Sequence, residues 1–595
     1  MYKPYILIAT FVLLNEFCLA QLFTKITQGY IVNDDRYSEG SSWGDINNDY
    51  FPDLFVPDAY PDKTNLIFIN NGDGSFTTVT SGPVVTDIST SSGGCFGDFN
   101  NDGHLDLFVQ NYFGNNNHLY LNQGNGVFSK VTSGIIVSDG GYSFNSSVVD
   151  FDNDGNLDIF VDNGAFTGTG ENNFLYQGIG DGTFNKITSG NIVNDGEQSL
   201  SSGWCDYDDD GDADLFVANG ATFNYTGIDN FLYQNNNDST FILITEGIIV
   251  NDLGNSTGVS WGDYDNDGDF DLFVANWGGE NNFLYENNGN GSFSKITSGI
   301  VVNDGGHSVA GAWGDADNDG DLDLYVTNDY NENNCFYENY GDGSFTKIFE
   351  GSFVNDGGRS NGATWSDYNN DGFLDLFVPN GQQPSQSNFL YRNNGISENN
   401  WINIICIGVI SNNTAIGAKI KAKATINSQS VWQLRQVSGQ TGFNAQNSFN
   451  VEFGFGDAAV VDSILFVWPS GALDIYKNIE VNKFYKATES QGLEEIILTH
   501  AEKDMEVFVE YKLFNNYPNP FNPTTTIKYQ VPGLSFVTLK VYNVLGGEAA
   551  TLVNGEKSVG SYEVVFDATE LPSGVYFYRL QAGSFIETKK MIIIK

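Results

Sequence analysis

Apolar residues along the first two thirds of the chain come in short runs separated by clusters of Gly, Asn and Asp. Over 308–348 these runs cover 308–313, 322–327, 334–338 and 344–348. Each is rich in β-branched and aromatic residues and bounded by turn formers, which predicts strands rather than helices. The first, Val309-Ala310-Gly311-Ala312, is small and suits a crowded inner edge. The last, Phe345-Thr346-Lys347-Ile348, alternates apolar and polar as a half-exposed outer strand does. The predicted unit is a four-stranded antiparallel meander.

Between the first and second run of every unit lies one acidic segment, Asp-x-Asp/Asn-x-Asp-Gly-x-x-Asp. It occurs at 45–53, 98–106, 150–158, 206–214, 263–271, 315–323 and 367–375, and its starting residues step by 53, 52, 56, 57, 52 and 52. A period of this size marks a repeat architecture. The two ends of the repeat region are complementary. Residues 23–27 read as a fourth strand without its first three, and 389–394 read as a third strand without its fourth. Joined, they complete one unit from both ends and remove an exposed sheet edge, as a closed ring requires and a capped solenoid does not. The expected fold is all-β: a seven-bladed β-propeller over 21–395, a small β-rich domain over 396–489 and a C-terminal β-sandwich over 513–595.

The acidic segments have the chemistry of a hard-cation loop. Side chains at positions 1, 3 and 5, the carbonyl of position 7 and a carboxylate at position 9 can wrap one ion, provided a glycine turns the chain after position 5. The candidate ligands are Asp45, Asn47, Asp49 and Asp53; Asp98, Asn100, Asp102 and Asp106; Asp150, Asp152, Asp154 and Asp158; Asp206, Asp208, Asp210 and Asp214; Asp263, Asp265, Asp267 and Asp271; Asp315, Asp317, Asp319 and Asp323; and Asp367, Asn369, Asp371 and Asp375. In the fifth loop, position 12 is Val274 rather than Glu and the flanks are strand-like, so these are hairpin loops and not EF-hands. The expected cofactor is Ca2+, up to one per unit and structural in role. The first loop departs most from the pattern, with Asn47 and with Tyr50 in place of the glycine. The competing reading is Asx-type turn chemistry alone, but three or four carboxylates within about 4 Å repel by several kcal/mol when no cation is present.

Charge sharpens this picture. The net charge is -49, and residues 21–395 carry 55 acidic against 9 basic side chains. Such a field disfavours nucleic acid and anionic membrane as partners. Lys3, the apolar run 5–14 and Cys18-Leu19-Ala20 read as a secretory signal over 1–20, too short to span a bilayer. Cys18 suggests a lipoprotein anchor, but Asn15-Glu16-Phe17 are not the small apolar residues that processing needs. No later segment reads as transmembrane. Cys95, Cys205, Cys335 and Cys406 fall in unrelated positions and are expected to be buried free thiols. The links between units repeat an acidic residue at Asp34, Asp139, Asp195, Asp252, Asp304 and Asp356, read here as turn formers.

The repeats resemble the FG-GAP and VCBS-type calcium-binding repeats of integrin α-chain propellers and of many secreted bacterial proteins. The resemblance implies that the metal loops lie on one face and that ligands are met on the other. On that other face the second turns present Tyr60, Tyr112, Phe113, Phe166, Tyr225, Trp277 and Tyr330. Aromatic planes there suit a glycan or a protein partner, the alternative being that each ring shields its own sheet edge. Downstream, Ile416-Gly417-Ala418-Lys419, Phe453-Gly454-Phe455-Gly456-Asp457 and Val467-Trp468-Pro469-Ser470-Gly471 resemble the ASPIC/UnbV domain, which follows such a propeller in the cartilage acidic protein family. Residues 490–512 read as a linker with some helix. Asn516-Tyr517-Pro518-Asn519-Pro520-Phe521-Asn522-Pro523, Leu571-Pro572-Ser573-Gly574-Val575-Tyr576 and Lys589-Lys590-Met591 resemble a type IX secretion sorting domain. That resemblance implies the outer-membrane secretion machinery as a partner and a secreted or surface location. The expected function is a recognition or adhesion module without catalytic residues. The competing class is an extracellular polysaccharide lyase or hydrolase, which would need a convergent acid and base on the aromatic face.

Overall fold

The computed structural model describes residues 22–595 apart from 35, 62, 165–169, 221–226, 237–238, 382–385, 396, 499–510, 532–534, 558–559, 570 and 584. The expected signal segment therefore lies outside the described residues, as does most of the expected linker. The chain is all-β, built in its first two thirds from repeated four-stranded sheets.

Each repeat folds as one antiparallel meander. The sixth is Ser308–Gly314, Asp323–Asn328, Cys335–Asn339 and Phe345–Ile348 in that order. The last is completed from the other end of the chain: Phe23–Lys25 pairs antiparallel with Phe389–Asn393, Phe23 opposite Asn393 and Lys25 opposite Tyr391. First strands pack against first strands. Ser42 Oγ donates to the Gly94 carbonyl (2.6 Å) and Ser92 Oγ to that of Ser143 (2.8 Å). Trp261 Nε1 reaches back to Gly203 O (3.1 Å), Trp365 Nε1 to Ala312 O (3.2 Å), and Trp43 Nε1 of the first sheet to Thr364 Oγ1 of the last (3.0 Å).

The link aspartates do more than turn the chain. The turn is held instead by asparagines, such as Asn194 Nδ2 on the Gly190 carbonyl (2.9 Å). At Asp139, Asp252, Asp304 and Asp356 the aspartate that follows accepts the tyrosine hydroxyl of the sheet's third strand and the lysine of its fourth. Asp139 takes Tyr176 (3.1 Å) and Lys186 (2.6 Å), and Asp304 takes Tyr337 (2.6 Å) and Lys347 (2.5 Å). In the last sheet Asp356 takes Tyr391 (2.7 Å) and, from the other end of the chain, Lys25 (2.8 Å).

Residues beyond 395 form two sandwiches. In one, the sheet of Val451–Gly456, Asn400–Ile407, Lys483–Thr488 and Gly492–Ile496 faces that of Gln429–Gln436, Lys419–Ile426, Val460–Val467 and Leu473–Glu480. The region expected to be a linker with helix thus opens as strand Gly492–Ile496, because Phe484 to Thr488 offer it a free edge. Asp457 accepts the Asn427 N–H (2.7 Å), a turn role. The other sandwich, from Lys512–Leu513 to Phe585–Ile593, has its own core around Ile527, Leu539, Tyr578 and Met591. All four cysteines from Cys95 onward are buried and free.

A segment of the middle sandwich, 438–448, leaves it and runs between the first strands of the repeats. Ala445–Gln446 adds to Ser41–Gly44 as a parallel strand. Gln446 grips Phe96 by both backbone groups (2.8 and 3.1 Å), and Asn444 N donates to Asn145 Oδ1 (3.1 Å). Ser201 Oγ donates to Gly442 O (2.6 Å), Gly442 N to Val259 O (2.8 Å) and Trp365 N to Asn447 Oδ1 (2.8 Å). The approach is close enough to require glycine beside it: a Cβ at Gly40 would overlap the Asn444 carbonyl, and one at Gly362 that of Phe443. Phe443, at the tip, packs with Ala59, Tyr112, Phe144, Leu200 and Val309.

Candidate functional site: aspartate loops and the opposite face

The acidic loops share one backbone geometry. Position 4, which is Asn48, Asn101, Asn153, Asp209, Asn266, Asn318 or Asn370, takes a left-handed φ between 52° and 60°. The glycine at position 6 takes φ between 85° and 106°. Asn and Asp tolerate the first conformation and Gly the second, which is why these residue types recur at those places. In the first loop Tyr50 adopts φ 71° with a full side chain, so this loop stores backbone strain that the others avoid.

Position 1 is held by the loop itself. Its carboxylate accepts the position-6 N–H, at 2.8 Å for Gly103 on Asp98 and for Gly372 on Asp367, and at 3.0 Å for Gly320 on Asp315. Position 9 ties the loop to the sheet: Asp106 Oδ1 accepts Asn122 N (2.7 Å) and its Oδ2 accepts Phe99 N (3.0 Å), and Asp271 and Asp323 do the same in their repeats. Position 3 converges on position 1 in each of loops three to six, joined by position 5 in loops four and six and by position 9 in loops three and five. In loops three to six, three carboxylates offer oxygens within 4.8 Å of one another: Asp150, Asp152 and Asp158; Asp206, Asp208 and Asp210; Asp263, Asp265 and Asp271; Asp315, Asp317 and Asp319. Loops one, two and seven carry Asn47, Asn100 and Asn369 at position 3 and offer an amide oxygen there.

Several of these oxygens are buried with no hydrogen-bond partner: Asp152 Oδ1, Asp206 Oδ1, Asp208 Oδ1, Asp214 Oδ2 and Asp375 Oδ2. In loop five the Gly268 N–H only approaches Asp263, and both Asp263 oxygens are buried and unpaired. Burial, reinforced by the neighbouring carboxylates, pushes Asp45, Asp150, Asp263 and Asp315 up to about 7 and Asp106 and Asp367 up to about 8. A buried charge without a partner is costly. Converging, unpaired, all-oxygen donors on an unusually acidic chain fit a hard divalent cation.

At the other end of the strands the sequence-predicted aromatics divide. Tyr60, Phe113 and Tyr330 are exposed, at 42%, 54% and 52%. Phe166 and Tyr225 lie outside the described residues. Tyr112 does not belong with the exposed set: it is buried, its hydroxyl donates to Glu39, and it packs against Phe144 at the plug tip. Trp277 and Tyr330, from neighbouring repeats, come together at 5.5 Å between ring centroids. His307 completes the group, 5.3 Å from Trp277 and 4.7 Å from Tyr330. Arg359 lies 5.1 Å over the Tyr330 ring and ion-pairs with Asp329 (2.9 Å), while Glu332 accepts from His307 N (2.9 Å) and contacts its Nδ1 (2.8 Å). Beside the tip, burial pushes the Glu39 carboxyl up to about 7.

The FG-GAP-like repeat family matches residues 45–109, 98–161, 206–274, 266–326 and 315–378. The ASPIC and UnbV family matches 408–494, and the secretion system C-terminal sorting domain matches 515–595. This chain is an FG-GAP-repeat protein with an ASPIC and UnbV domain and a secretion sorting tail. It is 26% identical over 257 residues to cartilage acidic protein 1 of Xenopus tropicalis, and also 26% identical over 257 residues to that of Homo sapiens. Each alignment covers 41% of this chain and 38% of the relative, so the chain spans well under half the length of the curated relatives it matches. Among solved structures it is similar to a fucose-specific lectin from Aleuria aurantia (TM-score 0.33, 11% identity, 52% of this chain and 94% of that one). It is also similar to the Dos1 propeller (TM-score 0.35, 11% identity, 62% and 95%). The sorting tail directs this FG-GAP-repeat protein to type IX export, to the cell surface or beyond. Among the described residues no helix is long and apolar enough to cross a membrane.

The ASPIC and UnbV domain of this FG-GAP-repeat protein sits on the aspartate loops and meets their position-1 carboxylates one after another. Asn413 Nδ2 donates to Asp98 Oδ2 (2.9 Å), and Asn412 faces Asp150. Lys419 Nζ contacts Asp206 Oδ2 (2.7 Å) and also pairs with Asp209. The buried Arg435 lies within electrostatic reach of Asp263 and Asp315, and Gly454 N donates to Asp315 Oδ2 (3.1 Å). Sequence reading missed this contact, because Lys419 and Arg435 look like ordinary strand residues. The one available signal was their presence beside a domain so poor in basic side chains.

Proposed function

We propose that the chain is a calcium-stabilised, seven-bladed propeller, exported by the type IX system, that recognises an extracellular glycan or protein through the face opposite its aspartate loops. Ring closure is supported by the Phe23–Lys25 strand and by the Trp43 to Thr364 bond between the first and last repeats. Calcium is supported by the buried, unpaired carboxylate oxygens of the loops; when bound it supplies charge neutralisation and shape. The observation that carries the choice of face is the position of the downstream domain. It covers the loop face, its segment 438–448 occupies the space between the first strands, and the Trp277–His307–Tyr330 cluster stands on the end left open. The test is binding of the full chain to panels of extracellular polysaccharides and surface proteins, with Trp277→Ala and Tyr330→Ala. Loss of the bound partner supports the reading, and unchanged binding of every partner rejects it.

A second reading, polysaccharide cleavage, draws on Glu39. This carboxyl is held near neutrality beside Tyr112 and Tyr37, with Arg359 and Asp329 close by, and so has the character of a general acid or base. Recognition without chemistry is favoured, because Glu39 is only 8% exposed. Scoring the same panels for cleaved as well as bound material separates the two.

A further inference from the structure

A groove of about 760 Å³ runs between the fifth and sixth aspartate loops and the hairpin of Lys419–Ile426 and Gln429–Gln436. This is the size of a ligand cleft, for which roughly 300–1,000 Å³ is usual. We propose that it binds a neutral oligosaccharide. The site is formed jointly by the repeat domain and the ASPIC and UnbV domain, lies on the side of the molecule away from the Trp277 cluster, and is independent of that face's function.

Three features point to a sugar. The first is a pair of aromatic rings, one from each domain. Tyr340, in the turn between third and fourth strands of the sixth repeat, is 52% exposed, and Trp432 of the hairpin is 42% exposed. Lys423 lies 5.2 Å over the Trp432 ring and so restricts its orientation in advance of any ligand. A pyranose has apolar C–H faces that stack on such rings and an equatorial belt of hydroxyls that do not.

The second feature is the polar lining. Asp321, Lys421, Asn427 and Gln429 line the groove and supply both acceptors and donors. The buried floor, Gln433 and Leu434, is fixed: Gln433 Nε2 donates to the Gly454 carbonyl (2.7 Å), and Leu434 packs with Phe270 and Cys205. A floor held this way presents a preformed cleft, which lowers the ordering cost of binding.

The third feature is charge, which selects the kind of sugar. Asp265, Asp267 and Asp319 on the groove wall belong to the fifth and sixth loops, each of which keeps a net negative charge with one dication on its four carboxylates, and Asp321 adds to it against Lys421 as the basic lining residue. A uronate polymer, a sulfated glycan or a phosphate would meet net repulsion there, whereas a neutral chain would not. The apolar lining is too broken to seat the continuous face of a partner helix, which needs anchors at regular spacing.

The experiment uses the full chain with calcium present. Cellohexaose and xylohexaose are titrated by calorimetry and by tryptophan fluorescence, with oligogalacturonide and a lysine-rich peptide as comparators. A neutral hexasaccharide should bind, and Trp432→Ala and Tyr340→Ala should each weaken it about tenfold, the effect of losing one stacking surface. Trp277→Ala should leave this binding unchanged. Both groove residues are exposed, so circular dichroism should report folded variants. The proposal is overturned if neither neutral oligosaccharide binds, if Trp432→Ala and Tyr340→Ala bind as the parent does, or if oligogalacturonide or the peptide is preferred. Loss of binding in Trp277→Ala alone would also overturn it, while supporting the other face.

Discussion

Replacing Asp263 with asparagine should stabilise the calcium-free protein, and calcium should narrow that gain. The Asp263 side chain is fully buried with both oxygens unpaired, and burial, helped by Asp267 and Asp265, holds its carboxyl up at about 7 against an ordinary 3.8. The folded protein therefore keeps a proton that the unfolded chain releases. Stability is lost as pH rises from about 4 to about 7 and is flat above that. Just over three pH units at about 1.36 kcal/mol each give an upper value of about 4 kcal/mol for this carboxylate. The substituted amide carries no charge, so at about pH 8 in chelator the Asp263→Asn variant should be more stable by up to that amount, and at about pH 4 the two proteins should coincide. With calcium at about 2 mM and a site of roughly 0.1–1 mM affinity, binding contributes about 0.6–1.8 kcal/mol per site, most of which the variant forfeits at loop five. The assay is urea and thermal unfolding of the full chain at both pH values, with chelator and with calcium, following the first transition because the chain has several domains. An equal gain with chelator and with calcium would refute the metal assignment, and no gain at about pH 8 in chelator would refute the charge argument.

Three further outcomes are expected. Lys419→Met removes an ammonium 2.7 Å from Asp206 Oδ2; a dication about 4–5 Å away would feel repulsion near 2 kcal/mol even at the dielectric of water, so loop four should tighten more than tenfold in a terbium luminescence titration. No tightening at any site contradicts this. Gln446→Leu strands the Phe96 N–H and C=O and the Gly439 C=O and should cost about 2–5 kcal/mol in urea unfolding, against under about 0.5 if the segment is a passive filler. Glu39, held up at about 7 chiefly by burial, should remove up to about 3 kcal/mol of stability between about pH 4.5 and 7, and Glu39→Gln should flatten that slope at saturating calcium.

The repeat was legible because its signals are local. A loop that needs left-handed residues at positions 4 and 6 must write Asn and Gly there, and it must do so in every copy. The pairing of 23–27 with 389–394 was legible for the same reason, since a fourth strand looks like a fourth strand wherever it falls. The link aspartates were misread as turn formers because the turn and the ion pair occupy adjacent residues. Asn194 holds the turn, while Asp195 answers Tyr233 nearly forty positions later. A reading that aligned Asp139, Tyr176 and Lys186 with Asp304, Tyr337 and Lys347 would have found the staple. Segment 438–448 was not legible at all. Its Gly, Gln, Asn and Ser residues read as an ordinary loop, and its partners outside the segment are spread over the first to fifth and the last repeats. The Trp277, His307 and Tyr330 cluster was half legible: the rings were visible in the sequence, their meeting across two repeats was not.

The polar character of that segment follows from where it goes. The first strands carry small residues such as Ser41, Gly93 and Ser201, so their inner edges leave backbone groups with no strand beside them. An apolar plug would leave those groups dry and unpaired, at a cost of about 1–3 kcal/mol each. Asn and Gln side chains carry a donor and an acceptor together and can pair both, as Gln446 does on Phe96. The same logic governs the loop face. Carboxylates forced together by the repeat require positive or hydrogen-donating partners, and a bound calcium ion would be one answer. The ASPIC and UnbV domain is another, because Asn413, Lys419, Arg435 and the Gly454 N–H approach the same position-1 carboxylates from outside. A bound cation and the docked domain would thus offset one electrostatic cost at the loops whose position-1 carboxylate the domain reaches. Where the outside partner is itself charged, as Lys419 is at Asp206, the two must compete for the same oxygens' field, and where it is neutral, as at Asp98 and Asp150, they can add. Affinity for calcium should therefore vary around the ring in the order set by the docked domain, with the fourth loop weakest among those that keep the full aspartate set.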